Sequence, residues 1–102
     1  MILEMGVLNV IPGEEQSFER AIQEAEPLIA RTPGFHSIAV HRCLETPNRY
    51  LLLVKWEHLE DHTVGFRQSD RYQQWRKLLN HFYNPLPSIE HYGESVALKH
   101  SN

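Results

Sequence analysis

The run Tyr50-Leu51-Leu52-Leu53-Val54-Lys55-Trp56 constrains the fold more than any other part of this chain. Short, rich in strand formers and bounded by turn residues, it reads as a β-strand that is apolar on both faces. Helices of the same chain can cover one face, but a small sheet has nothing of its own for the other. A second copy of the chain supplies that cover, so the run predicts an α+β sheet and a homodimer. Length points the same way. The 102 residues make one small domain, and a domain of this size buries only about 60 to 65% of the surface its unfolded chain exposes.

Turn signals divide the rest of the chain. Residues 2–11 are β-rich and stop at Pro12-Gly13, a pair that removes a backbone donor and admits unusual dihedrals. From Glu14 to Arg31, Phe18, Ile22, Ala25 and Ile29 recur at helical spacing, and Thr32-Pro33-Gly34 ends the run. Pro27 inside it cannot donate to the carbonyl of Gln23, which predicts a kink or early fraying. Phe35–Leu44 and Arg49–Glu57 form a hairpin across Glu45-Thr46-Pro47-Asn48. Residues 59–68 read as a short helix. Ser69-Asp70 caps a second one with Tyr72, Trp75, Leu79 and Phe82 on one stripe. After Asn84-Pro85-Leu86-Pro87, residues 88–96 return as a last strand. The order is βαββαβ with a broken second helix: a ferredoxin-like domain over residues 1–96 with a tail at 97–102.

Composition excludes several classes. A net charge of -3 with no basic stripe leaves no footprint for a phosphate backbone, so nucleic acid is not an expected partner. No apolar run approaches the roughly 18 residues of a membrane span, and the first residues carry no basic leader. Cys43 is the only cysteine, which precludes an internal disulfide or a thiolate metal cluster. These features together predict a cytoplasmic protein with no membrane partner. His58 and His62 are spaced one helical turn apart, but no third ligand stands at motif spacing, so no metal site is expected.

The opening strand ending in Pro12-Gly13, the Thr32-Pro33-Gly34-Phe35 turn, Trp56-Glu57 at the close of the third strand, and His62-x-x-x-Phe66-Arg67-x-Ser69 follow one another in fixed order. In this the chain resembles the antibiotic biosynthesis monooxygenase family over about residues 1–96. The resemblance implies a dimeric α/β barrel of two facing sheets. It also implies oxidation of a polycyclic phenolic substrate by dioxygen, without metal or flavin. By position, the family's strand-three tryptophan is Trp56, the tyrosine six residues on is His62, and the arginine twenty residues on is Arg76. Four residues before the tryptophan, where those members use asparagine, this chain has Leu52. A second, haem-degrading branch uses an asparagine and a histidine at positions that fall on Gly6 and about Arg76. Neither residue is present, and His81, more than one turn further on, could replace the histidine only if the pocket were rearranged.

Oxidising an aromatic with dioxygen alone requires an electron-rich phenolate or enolate, because triplet oxygen takes single electrons readily only from such anions. The site must therefore lower a substrate pKa. A neutral His62 as base, Arg76 holding the anion and Trp56 in a dry aromatic pocket meet that requirement. Leu52, Phe66, Tyr72, His81, Phe82, Tyr83 and His91 are the expected substrate-binding residues. His91 and Tyr92 point to opposite faces of the last strand, so only one of them reaches a cavity. For Trp56 a place in the core competes with a direct role, for His62 a backbone-bonded helix position, for Arg76 a surface ion pair, and for His81 a helix C-cap. The expected function is cofactor-independent, monooxygenase-like oxidation of a phenol, hydroquinone or quinone-related metabolite. The alternatives are a non-catalytic binding or sensing module, a structural interaction protein and, at lower weight, a haem-degrading enzyme.

Overall fold

A computed structural model describes residues 1–100. The strands are β1 (Ile2–Asn9), β2 (Phe35–Arg42), β3 (Arg49–Trp56) and β4 (Ile89–Tyr92), and the helices are α1 (Glu15–Ala30) and α2 (Asp70–Leu79). A π-helical segment, Asp61–Phe66, precedes α2, and a single 3-10 turn, Asn80–Phe82, follows it. The strands form one antiparallel sheet in the order β2-β3-β1-β4, and the whole is the ferredoxin-like α+β fold.

The two-residue period of the strands sorts the side chains. Glu4, Gly6 and Leu8 of β1 share the helix-facing side with Tyr50, Leu52, Val54 and Trp56 of β3, and all are buried. Against them α1 packs Phe18, Ala25 and Ile29, three positions of its predicted apolar stripe. The other face carries Leu3, Met5, Val7, Leu51, Leu53 and Tyr92. Within one chain it is uncovered: Val7 is 38% exposed, Leu51 37% and Tyr92 47%.

Four expectations need correction. The helix α1 runs through Pro27 to Ala30 without early fraying, since only one intrahelical bond depends on the missing N–H. The last strand ends at Tyr92 rather than residue 96, where its pairing with β1 runs out at Leu3. The first strand stops at Asn9, and Val10 makes only an isolated bridge to Tyr83. The segment expected as a short α-helix is instead wound with the wider π repeat. The second helix is broken as expected, and Ser69 caps α2, its side chain accepting from the backbone N–H of Tyr72 at 3.3 Å. Of the expected tail, residues 101–102 lie outside the described residues.

Gly34 decides how the π-helical segment meets the sheet. Its φ of +89° is a region L side chains avoid, and a Cβ there would collide with the carboxylate of Asp61. That carboxylate accepts from the backbone N–H of His58 at 2.9 Å and so fixes the segment's start.

Candidate active site

The π-helical winding shapes the site. The N–H of Arg67 donates to the carbonyl of His62, five residues back, at 3.0 Å. This wider turn turns both His62 and Phe66 inward, where they are 3% and 1% exposed. The imidazole of His62 lies flat on the indole of Trp56, with centroids 5.2 Å apart and planes at 16°.

Three polar side chains meet there in a line. Nδ1 of His62 is hydrogen-bonded to Nε2 of His91 at 2.7 Å. On its other side, Nε2 of His62 lies 3.5 Å from Oε1 of Glu4, and the same oxygen accepts from Nε1–H of Trp56 at 3.0 Å. Register explains the grouping, because Glu4 stands opposite His91 in the β1–β4 pairing. Among the described residues Oε2 of Glu4 has no partner within the chain, and no enclosed side-chain oxygen is left unsatisfied. Oε2 is therefore open to the adjoining cavity.

Burial sets the charges. Desolvation, assisted by the nearby Arg67 cation and by His91, pushes His62 down to about 3, so its imidazole is neutral at physiological pH. His91 is lowered by burial and Arg67 as well. Desolvation raises Glu4, while the Trp56 hydrogen bond and Arg67 oppose the rise. With His62 neutral, its contact with Glu4 is not an ion pair. Among the described residues no three potential ligands gather to hold a metal ion, and Glu4, His62 and His91 form a chain rather than a converging set.

The cavity beside this chain measures about 250 Å³. Glu4, His62, Arg67, Arg76 and Asn80 supply polar groups, and Phe66, Tyr72, Trp75 and Tyr83 the aromatic wall. Leu52 lines it in the position where the resemblance led one to look for asparagine. Arg76 lies with its guanidinium 5.8 Å from the ring centre of Tyr72, held by a cation–π contact at the rim. A larger and more open groove of about 450 Å³ runs between α1 and β2. It contains no acid–base chain, and its one buried hydroxyl, that of Tyr50, already donates to Glu19 at 2.6 Å.

The structure thus brings together His62, Arg76, Leu52, Phe66, Tyr72 and Tyr83 around one cavity. Trp56 is fully buried and does not line it; the indole meets the site through its hydrogen bond to Glu4 and its stacking on His62. Phe82 belongs to the core, edge-on to Phe18 at 5.9 Å. His81 is exposed and lies tilted against Phe82, outside the cavity lining, so it cannot replace the absent haem ligand. His91 reaches the site through His62 rather than through the cavity wall, while Tyr92 faces the opposite side, as the strand period requires. Glu4 and Arg67 were missed. The signal for Glu4 was present: it is an acidic residue two positions before Gly6 and four before Leu8, on the face that strand periodicity buries.

Comparison with known proteins places these features in context. The family model described as antibiotic biosynthesis monooxygenase matches residues 1–78. YczJ of Bacillus subtilis (strain 168), an uncharacterized protein, is 46% identical over 92 residues, covering 90% of this chain and 97% of its own. A solved structure from Bordetella bronchiseptica, assigned to the same monooxygenases, is 40% identical with a TM-score of 0.88, covering 93% of this chain and 97% of that one. The monooxygenase ActVA-Orf6 of Streptomyces coelicolor, solved with nanaomycin D, shares the fold at a TM-score of 0.82 and 17% identity, over 98% of this chain and 92% of its own.

Proposed function

The chain belongs to the antibiotic biosynthesis monooxygenase family, and from that premise we propose that it oxidises a small electron-rich aromatic, such as a phenol, hydroquinone or quinone-related metabolite, with dioxygen and without a cofactor. The observation that carries the proposal is the cavity itself. An aromatic wall of Phe66, Tyr72 and Trp75 adjoins the carboxyl of Glu4 and the neutral imidazole of His62, with the cations of Arg67 and Arg76 beside them. Its volume of about 250 Å³ falls below the roughly 300–1,000 Å³ of drug-sized sites. The substrate that fits is one of one or two rings, not a large polycycle.

The reaction runs through the substrate anion. Removal of a proton leaves the electron pair on the phenolate or enolate, whose charge Arg76 and Arg67 hold. One electron passes to dioxygen, and the two radicals combine to form a carbon–oxygen bond. A proton then returns to the resulting peroxide. Loss of the second ring hydrogen with cleavage of the O–O bond leaves a carbonyl on the ring and releases water. One oxygen atom is retained by the product and the other becomes water, so no outside reductant is consumed.

A dimer through the open sheet face accompanies this reading. Leu3, Met5, Val7, Leu51, Leu53 and Tyr92 form an apolar surface with no cover within the chain. Light scattering at micromolar concentration is expected to give twice the chain mass; a monomer would remove this part of the proposal. No helix is long and apolar enough to cross a membrane among the described residues, and the free Cys43 suits the cytoplasm.

One observation favours a second reading, a binding or sensing module: Leu52 presents hydrocarbon where a polar group would orient peroxide. Oxygen uptake decides between them. With a panel of monocyclic and bicyclic hydroquinones and phenols, the metal-stripped protein is expected to consume dioxygen faster than autoxidation, and His62→Ala and Arg76→Ala to lose that excess. Ligands that raise the melting temperature without any uptake would favour the binding module.

A further inference from the structure

We propose that Glu4 is the catalytic residue that exchanges a proton with the bound ligand, and that His62 and His91 relay that proton to solvent at the edge of the sheet. The inference deepens the proposed function and rests on it for the nature of the ligand. Three observations carry it. Nδ1 of His62 is hydrogen-bonded to His91 at 2.7 Å and Nε2 faces Oε1 of Glu4 at 3.5 Å, so the two ring nitrogens are aimed at the other two members of the chain. Glu4 has a free atom, because Oε1 takes the indole N–H of Trp56 while Oε2 is open to the cavity. At the far end, His91 is half-buried on β4, an edge strand of the sheet, and does not line the cavity. The three side chains therefore run from inside to outside.

The transfer balances at each step. The ligand O–H bond breaks, its electron pair stays on the ligand oxygen, and Oε2 of Glu4 takes the proton. The carboxylic acid turns about its Cγ–Cδ bond so that the protonated oxygen takes the place of Oε1 and gives its proton to Nε2 of His62, whose Nδ1–H passes one to Nε2 of His91. His91 gives up its outer Nδ1 proton to water, and the three groups end with the charge they began with. The long 3.5 Å step between Glu4 and His62 is of the kind that tightens when ligand excludes water. The charged groups that face the chain are Arg67, which acts on all three members, and Arg76 across the cavity. Burial and the Arg67 cation hold both imidazoles neutral, so each is free to accept a proton and pass one on.

Two readouts test the relay, and only one of them needs turnover. The first is the absorbance of 4-nitrophenol bound to the intact protein, followed against pH in the wild type and in Glu4→Gln. Glu4→Gln is expected to change the ionisation constant of the bound phenol at least about tenfold; no binding, or an unchanged constant, overturns the relay whether or not the protein is an oxygenase. The second readout is oxygen uptake by His91→Ala with the best substrate of the panel. The rate is expected to fall about tenfold or more and to recover with added imidazole, while the substrate Kd stays within about threefold. A His91→Ala protein that keeps its rate, or loses it without rescue, overturns the outlet. Absence of uptake by the wild type together with the expected nitrophenol behaviour would reject the oxygenase reading and leave the proton-accepting Glu4 standing.

Discussion

The indole N–H of Trp56 and the carboxyl of Glu4 are joined by a buried hydrogen bond of 3.0 Å, although 52 residues separate them in the chain. This bond holds one carboxyl oxygen away from the cavity and leaves the other facing it. Trp56→Phe keeps an aromatic ring in the core and removes the donor. The loss is expected to cost about 1–3 kcal/mol in urea unfolding, because a buried acceptor is left unpaired. A cost below about 0.5 kcal/mol would show that Glu4 finds another partner at once.

Stability should depend on pH through His62. Its folded value of about 3 lies well below its ordinary 6.5, so between those two values the unfolded chain binds a proton that the folded chain refuses. Stability therefore falls as pH is lowered from about 6.5 towards about 3, by up to ~1.4 kcal/mol for each pH unit. His91, also lowered, steepens the same slope. Glu4 works in the opposite sense: its raised value gives stability that is complete below the ordinary 4.5 and is lost as pH rises through the folded value. Urea midpoints measured across this range should show the acid-side slope in the wild type and a shallower one in His62→Phe. Equal slopes would contradict the buried neutral imidazole.

Gly34→Ala should damage the site from outside it. The φ of +89° and the collision of any Cβ with Asp61 make the change strained. Displacing Asp61 frees the start of the segment that carries His62. A destabilisation of about 1–3 kcal/mol is expected, together with weaker ligand binding measured by fluorescence quenching. Wild-type stability and affinity in this variant would mean that the π-helical segment is positioned by Phe66 packing alone.

The strand and helix order was legible because each element carries its own period, and Ser69, Gly34 and the Asn84-Pro85 turn punctuate it. The cavity wall was partly legible for the same reason: Phe66 and Tyr72 fall on stripes. For Glu4 only the burial was legible, from its place on the inward face of the strand, because its partners arise from register. Only the pairing of β1 with β4 sets it opposite His91, and only the return of β3 brings Trp56 within reach. The π winding of Asp61–Phe66 was hidden as well, since one additional residue per hydrogen-bonded turn leaves no mark on an apolar pattern this short. His81 and Phe82 were overvalued because a cluster of aromatic residues at a helix end looks the same whether it lines a cavity or closes the core.

The most direct test of the account is turnover of a bicyclic hydroquinone under oxygen-18 gas, with the product reduced on quenching so that its carbonyl cannot exchange with water, followed by mass spectrometry. The account predicts one heavy oxygen atom in each product molecule formed above the autoxidation background, and its loss in Glu4→Gln and Arg76→Ala. Product without heavy oxygen, or no product above background, would contradict a monooxygenase.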